Sequence, residues 1–130
     1  MTNVLDLLLN ANPANLPERE YRLTRLSEAS GGDVVFRLRA LPYDRVAEIR
    51  QVDDVDQSMH ILLAGVVAPD LRSQALMDKF GVVTPVDMIK EMLLPGEIDD
   101  LVIRIEQLSG YRTNVLEEVK KNSWTTPSSG

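Results

Sequence analysis

The sequence predicts an α+β fold that is predominantly helical. Three observations predict it: polar and apolar residues alternate over residues 19–41, apolar residues recur every three or four positions from Leu41 to Gly110, and a short leucine-rich stretch precedes both. Alternation is typical of a half-buried strand, and the longer period of an amphipathic helix. We therefore expect a short N-terminal helix, one antiparallel β-hairpin and a compact bundle of four to five short helices.

The length of the chain suits one globular domain. Its 130 residues fall where single domains are most common, and 44% hydrophobic with 26% charged residues is typical of a globular protein. We expect a single domain over residues 1–122, composed of an N-terminal helix and linker (1–16), a hairpin (19–41) and a helical part (42–122). Residues 123–130 are expected to form a flexible tail.

The first element is a short helix over residues 3–10. Leu5, Leu8 and Leu9 fall on one side of it, with the spacing of an apolar stripe. The run at 10–17 contains two prolines and three asparagines, which break regular structure. A helix this short is marginal in water unless its leucines dock on something, either the protein's own core or a partner. We take these leucines as candidate partner-binding residues.

The hairpin is predicted from two alternating runs on either side of a glycine turn. Tyr21 and Leu23 alternate with polar residues, and so do Phe36 and Leu38. Between the runs, residues 30–33 supply two glycines, which permit the positive φ of a tight turn. The apolar face must lie on helices, because a lone hairpin is barely stable. The other face carries three arginines, Arg22, Arg37 and Arg39.

The helical part is predicted from its stripes and its helix-end signals. Five residues are expected to have a structural role in fixing helix ends: Pro69, Gly81, Pro95, Gly96 and Gly110. Residues 113–121 are expected to add one or two further turns. Methionines lie on several stripes, where they fill gaps in a core by default or line an adaptable groove; they are Met59, Met77, Met88 and Met92.

Composition argues against several classes of function. A net charge of −6 argues against a binder of nucleic acid or of an anionic membrane, since both need a basic face. The longest charge-free apolar stretch, residues 61–69, is about half of the roughly 20 residues that a membrane span needs. The absence of cysteine and the single histidine remove thiol chemistry and most metal sites.

No group of polar residues forms a catalytic or metal-binding motif. His60 lies on a predicted helix without a second histidine one turn away. The acids at 53, 54 and 56 lack the glycine and the glutamate of a calcium loop. Asp99 and Asp100 are neighbours that point about 100° apart on a helix, so they do not form an acid–base pair. We therefore expect no catalytic residue, no cofactor and no metal, and a protein that binds another protein.

Several segments, taken in order, resemble those of a known family. They are residues 35–41, 61–71, 93–98, 108–111 and 119–122. Their order and spacing are similar to those of the tail assembly chaperones of long-tailed phages, especially the type of Gram-positive phages and PBSX-like defective prophages. The N-terminal forty residues match this pattern less well.

The resemblance implies a small, non-enzymatic helical or α+β protein of the host bacterial cytoplasm. Such chaperones bind the tape measure protein, the long apolar helical ruler of the tail, and keep it soluble while the tail tube polymerises. The alternative is a tail completion, connector or adaptor protein that stays in the particle. A third class is a nucleic-acid-binding regulator that uses Arg22, Arg37 and Arg39. Self-association into a homo-oligomer is left open.

Overall fold

The computed structural model describes residues 3–52 and 54–120, so the tail predicted at 123–130 lies outside the described residues. The elements in chain order are α1 (Val4–Asn10), β1 (Glu18–Arg22), α2 (Thr24–Ser30), β2 (Val35–Arg39), α3 (Tyr43–Ile49), α4 (Asp54–Gly65), β3 (Val66–Ala68), α5 (Gln74–Phe80), α6 (Pro85–Met92) and α7 (Pro95–Leu108). The predicted α+β class is confirmed, with its N-terminal helix and five helices after the paired strands.

The three strands form one antiparallel sheet in the order β1-β2-β3. The predicted pairing of the first two strands is confirmed, with Tyr21 opposite Phe36 and Glu18 opposite Arg39. β3 was not predicted, because its residues continue the apolar stretch of α4 without a break. It pairs with β2 through a register irregularity at Arg37 and Leu38.

The connection between β1 and β2 is longer than the predicted glycine turn. Helix α2 lies between them, and Gly31 ends that helix in the left-handed conformation, with φ 79°, instead of turning a hairpin. Ser27 is buried on α2, and its Oγ accepts a hydrogen bond of 2.8 Å from the Val34 N–H. The apolar residues of this segment therefore follow a helical period for two turns, which the alternating reading missed.

The later helices begin at residues whose side chains accept hydrogen bonds from the backbone. The Ser73 hydroxyl accepts from the Leu76 N–H at the start of α5, and Thr84 accepts from the Asp87 N–H at the start of α6. At α7, the Glu97 carboxylate accepts a 2.7 Å hydrogen bond from the Leu94 N–H. Side-chain oxygens thus satisfy backbone donors that a helix start leaves free.

The core lies between the sheet and the helices α4 to α7. Phe36, Leu38, Leu62, Met88, Ile89 and Ile105 are its largest fully buried side chains. Met59 and Met77 are also buried, and Met92 packs against the same cluster. The methionines therefore fill the core, and the alternative of a methionine-lined groove is wrong.

One ion pair fixes the start of α7 to the segment after β1. Arg25 donates to both carboxylate oxygens of Glu97 and to the Met92 carbonyl. The hydrogen bond from Arg25 lowers the pKa of Glu97; burial opposes this shift, and the Leu94 N–H adds to it. The same hydrogen bond raises the pKa of Arg25. Arg25 and Glu97, which are far apart in the sequence, thus connect helix α2 to helix α7.

The segment after α7 carries no regular secondary structure in its described part. Gly110 and Arg112 both have positive φ, 99° and 56°, so the chain turns sharply out of α7. Residues 113–120 then run without helix or strand, and the further turns predicted there are absent over that range.

Candidate partner-binding surface

Helix α1 carries the largest group of exposed apolar side chains within the described residues. Leu5, Leu8 and Leu9 are 64%, 67% and 73% exposed, and Val4 and Leu7 are also exposed. No residue of this helix is buried. The leucines therefore do not pack on the protein's own core, which was the first of the two alternatives that the sequence left open.

Local interactions hold α1 together despite its exposure. The Asn3 side chain caps it by accepting a 2.8 Å hydrogen bond from the Asp6 N–H, and the Asn10 amide donates to the Asp6 carbonyl at the other end. These contacts stabilise the helix ends but not its apolar side. An exposed apolar helix of this kind is typical of a surface that a partner covers.

A linker joins α1 to the sheet. Residues 11–17 follow the helix, and the Pro17 carbonyl accepts a 3.0 Å hydrogen bond from the Ala40 N–H beside β2. The next residue, Leu41, donates its N–H to the Ser109 Oγ just after α7, at 2.8 Å. The linker therefore meets the body of the protein where β2 and the end of α7 come together.

An apolar groove opens at this same place, between α3 and the end of α7. We call it the α3–α7 groove. It includes a cavity of about 250 Å³ that continues into a more open one of about 430 Å³. Its aliphatic lining consists of Leu41, Val46, Ala47, Ile49 and Ile61, and its other lining residues are Tyr43, Arg50, Gln57, Glu106, Ser109, Tyr111 and Arg112. Sequence reasoning missed this groove, because its lining comes from elements far apart in the chain.

The rim is ordered by two contacts. Arg112 forms an ion pair with Glu106 at 2.6 Å. Arg50 donates to the Tyr111 hydroxyl at 2.8 Å, and its guanidinium lies 5.5 Å from the centre of the same ring. Arg112 is thus paired with a carboxylate, whereas Arg50 contacts the hydroxyl and the ring of Tyr111.

The three arginines on the outer face of the sheet do not form a basic strip. Arg22 makes an ion pair with Asp33 at 2.8 Å, and Arg37 with Glu20 at 3.5 Å. Arg39 lies directly opposite Glu18 in the register. Positive and negative charges therefore alternate across this face, which is unlike the concentrated positive charge that binds nucleic acid.

The groups considered for chemistry are not assembled into a site within the described part of the chain. His60 is half-buried on α4, and Asp56 is exposed. Residue 53 lies outside the described residues. Among the side chains that the structure describes, in residues 3–52 and 56–120, no three histidine or acidic groups are close enough together to hold a metal ion. Across the same residues, no helix is both long and apolar enough to cross a membrane.

The predicted helix-end residues take several different positions. Gly81 ends α5 with φ 68°, and Gly110 adopts φ 99° just after α7. Pro95 and Gly96 are the first two residues of α7. Pro69 follows the strand β3, not a helix, and the peptide bond before it is cis.

Comparison with known families shows to which family the chain belongs. The model of the family described as phage XkdN-like tail assembly chaperone protein matches residues 5–121. The chain belongs to this family. The match includes α1 from Leu5 onward, the sheet and all the later helices. The resemblance seen in the sequence is therefore confirmed, and it extends into the N-terminal region that matched less well.

A solved structure shares the architecture of this chaperone-family chain. The chain is similar to the crystal structure of the protein yqbn, with a TM-score of 0.60 and 20% sequence identity. The similarity covers 77% of this chain and 92% of that one. At this identity, the likeness establishes a common fold. None of the curated proteins matches the chain.

Proposed function

We propose that this member of the phage tail assembly chaperone family binds the tape measure protein and keeps it soluble during tail assembly, without catalysing a reaction. It acts in the cytoplasm of the host bacterium and leaves before the particle is complete. The observation that carries the proposal is the exposed leucine stripe of α1 on a chain of this family.

The physical basis is the mutual covering of apolar helices. A long apolar helical protein awaiting assembly exposes stripes that aggregate unless they are covered. Leu5, Leu8 and Leu9 present the i, i+3, i+4 spacing with which one amphipathic helix recognises another. A net charge of −6 keeps the resulting complex dispersed in solution.

The linker fits this role because it separates the binding helix from the folded body. Pro13 and Pro17 restrict the backbone of residues 11–17, which separate α1 from β1 along the chain. The core contains no side chain from α1. The helix can therefore engage a partner without disturbing the packing of the domain.

Co-expression with the tape measure protein tests the proposal. With the wild-type chain, most of the tape measure protein is expected in the supernatant after centrifugation. Leu8→Asp places a carboxylate in the centre of the stripe and should return it to the pellet. Val83→Asp, at a position 88% exposed between α5 and α6, adds the same charge elsewhere and should have no effect. Equal solubility with the two variants would contradict the role of α1.

Mass spectrometry of purified particles distinguishes the chaperone from a retained tail protein. The proposal predicts that peptides of this chain are absent from finished particles and present in lysates of assembling cells. A stoichiometric amount in the particle would instead support the tail completion, connector or adaptor alternative.

A further inference from the structure

We infer that the α3–α7 groove is the binding site for helix α1 of a second copy of this chain. The inference extends the proposed function, on which it rests for its biological purpose, but the contact itself requires no tape measure protein. One molecule carries both an exposed leucine helix and an open apolar groove. Two copies therefore each supply what the other one leaves uncovered.

The path of the linker brings the two features to one end of the molecule. Pro17 is hydrogen-bonded to Ala40, and Leu41 to Ser109. Leu41 and Ser109 both line the groove. The linker that carries α1 thus joins the body of its own molecule beside the groove, so a second copy approaching at this end is near both features.

The structure favours a second copy over the chain's own helix as the occupant. Within one chain, every residue of α1 is exposed, and none of them lines the groove. The linker also forms its own turns, through hydrogen bonds from Asn15 to Asn12 and from Leu16 to Ala14. With these turns in place, no residue of α1 is buried in its own molecule.

The apolar surfaces match in chemistry. Leu5, Leu8 and Leu9 would point toward a lining made of aliphatic side chains, Leu41, Val46, Ile49 and Ile61. Three leucines at i, i+3 and i+4 are the usual anchors of a helix lying in a groove. Burying them removes from water three apolar side chains that are each at least 64% exposed in the single chain.

The charges match as well. Asp6 is the only charged side chain in residues 1–17. It follows Leu5 by one position, about 100° around the helix, so it lies at the flank when the leucines point into the groove. Arg50 is on the rim, and no carboxylate among the described side chains is paired with it in the structure. An ion pair between Asp6 of one copy and Arg50 of the other would give Arg50 a carboxylate partner.

Exchange of α1 between copies would cover the leucines whenever no tape measure protein is present. Copies with a charge of −6 repel one another, but residues 1–17 carry a single acid, so this segment can approach a second copy at little electrostatic cost. The tape measure protein would then compete with the groove of the second copy for the same leucine stripe.

Sedimentation equilibrium of the full chain, without the tape measure protein, tests the inference. The wild-type chain is expected to self-associate as its concentration rises. Leu8→Asp should weaken association about 10- to 100-fold, the effect of losing one buried leucine contact. Val83→Asp adds the same charge away from both surfaces and should leave association unchanged. A chain that is monomeric at every concentration overturns the inference, and so does Leu8→Asp with wild-type association.

A charge exchange identifies the contact. Arg50→Glu and Asp6→Arg should each weaken association about three- to tenfold, and the chain carrying both substitutions should recover it. Both side chains are exposed, so neither substitution disturbs the core, and Arg50→Glu removes only the contact with Tyr111 at the rim. Failure of the double variant to recover association overturns the assigned pair. Arg50→Glu should still solubilise the tape measure protein, so the inference and the proposed function fail separately.

Discussion

Helices α1 and α7 carry similar apolar stripes in opposite surroundings. In α7, Ile98, Leu101 and Ile105 are at most 8% exposed, whereas all four leucines of α1 are at least 58% exposed. The period of a stripe predicts that a helix forms, but it does not tell which surface covers the stripe. The position of each helix in the fold determines whether its stripe is covered. Helix α7 packs directly on α4 and β2, while α1 is joined to the sheet by a proline-containing linker.

The largest effect on the free energy of unfolding is expected at the buried stripe of α7. Ile105→Ala should lower the free energy of unfolding by about 2–5 kcal/mol, because Ile105 is fully buried and its loss leaves a cavity. Urea denaturation followed by circular dichroism measures this change. A loss below about 1 kcal/mol would show that the stripe of α7 is not a core stripe.

The next effect concerns the close approach of α4 to α7. A Cβ on Gly65 would lie 2.7 Å from the Cδ1 and the Cγ2 of Ile105. Gly65→Ala should therefore cost about 1–3 kcal/mol through overpacking. Adding Ile105→Val to this variant removes one of the methyl groups in the way. The combined loss in urea denaturation should be smaller than the sum of the two single losses; additive losses would contradict the contact.

A smaller effect depends on pH. Since the pKa of Glu97 is lowered by folding, its ion pair stabilises the protein above its ordinary pKa of 4.5, and this stabilisation is lost as the pH falls through the lower folded value. Glu97→Gln should cost about 1 kcal/mol at neutral pH, because Arg25 is partly exposed. The cost should shrink in acid.

Asp99→Asn, on the exposed side of the same helix, is the matched control for this substitution. At neutral pH it should change the free energy of unfolding by less than about 0.5 kcal/mol, because its side chain is exposed. A Glu97→Gln difference that stays constant as the pH falls would argue against the ion pair as its source.

The smallest effect is expected at the exposed stripe. Leu8→Ala should change the free energy of unfolding by less than about 0.5 kcal/mol, because its side chain loses few contacts within its own chain. The denaturation should be measured at low protein concentration, where self-association does not contribute. A loss comparable to that of Ile105→Ala would erase the difference between the two helices.

The sequence predicts the fold best where local signals and tertiary packing agree. Ser73, Thr84 and Pro95 stand at helix starts in the structure as their residue types indicate. It predicts less where one pattern fits two structures. The segment of α2 was read as a strand and a turn because Leu23 follows Tyr21 with a strand period, whereas Leu23 with Leu26 and Ser27 follows a helical one.

The candidate surfaces differ in the same way. Leu5, Leu8 and Leu9 could be singled out from the sequence because the stripe and the proline-containing linker are adjacent in the chain. The α3–α7 groove could not, because Leu41, Ile61 and Tyr111 meet only after the sheet and α7 have packed together. On the outer face of the sheet, the arginines could be listed from the sequence. The acids that lie beside them could not, because their positions depend on the strand register.

Removing residues 1–16 tests the central claim most directly. Two quantities are measured: the melting temperature of the truncated chain and the solubility of the tape measure protein expressed with it. The account predicts that the melting temperature stays nearly unchanged, because α1 contributes no buried residue, while the tape measure protein moves from the supernatant to the pellet. A large fall in melting temperature would place the leucines in the core. Undiminished solubility of the tape measure protein would show that the exposed helix is not the surface that holds it.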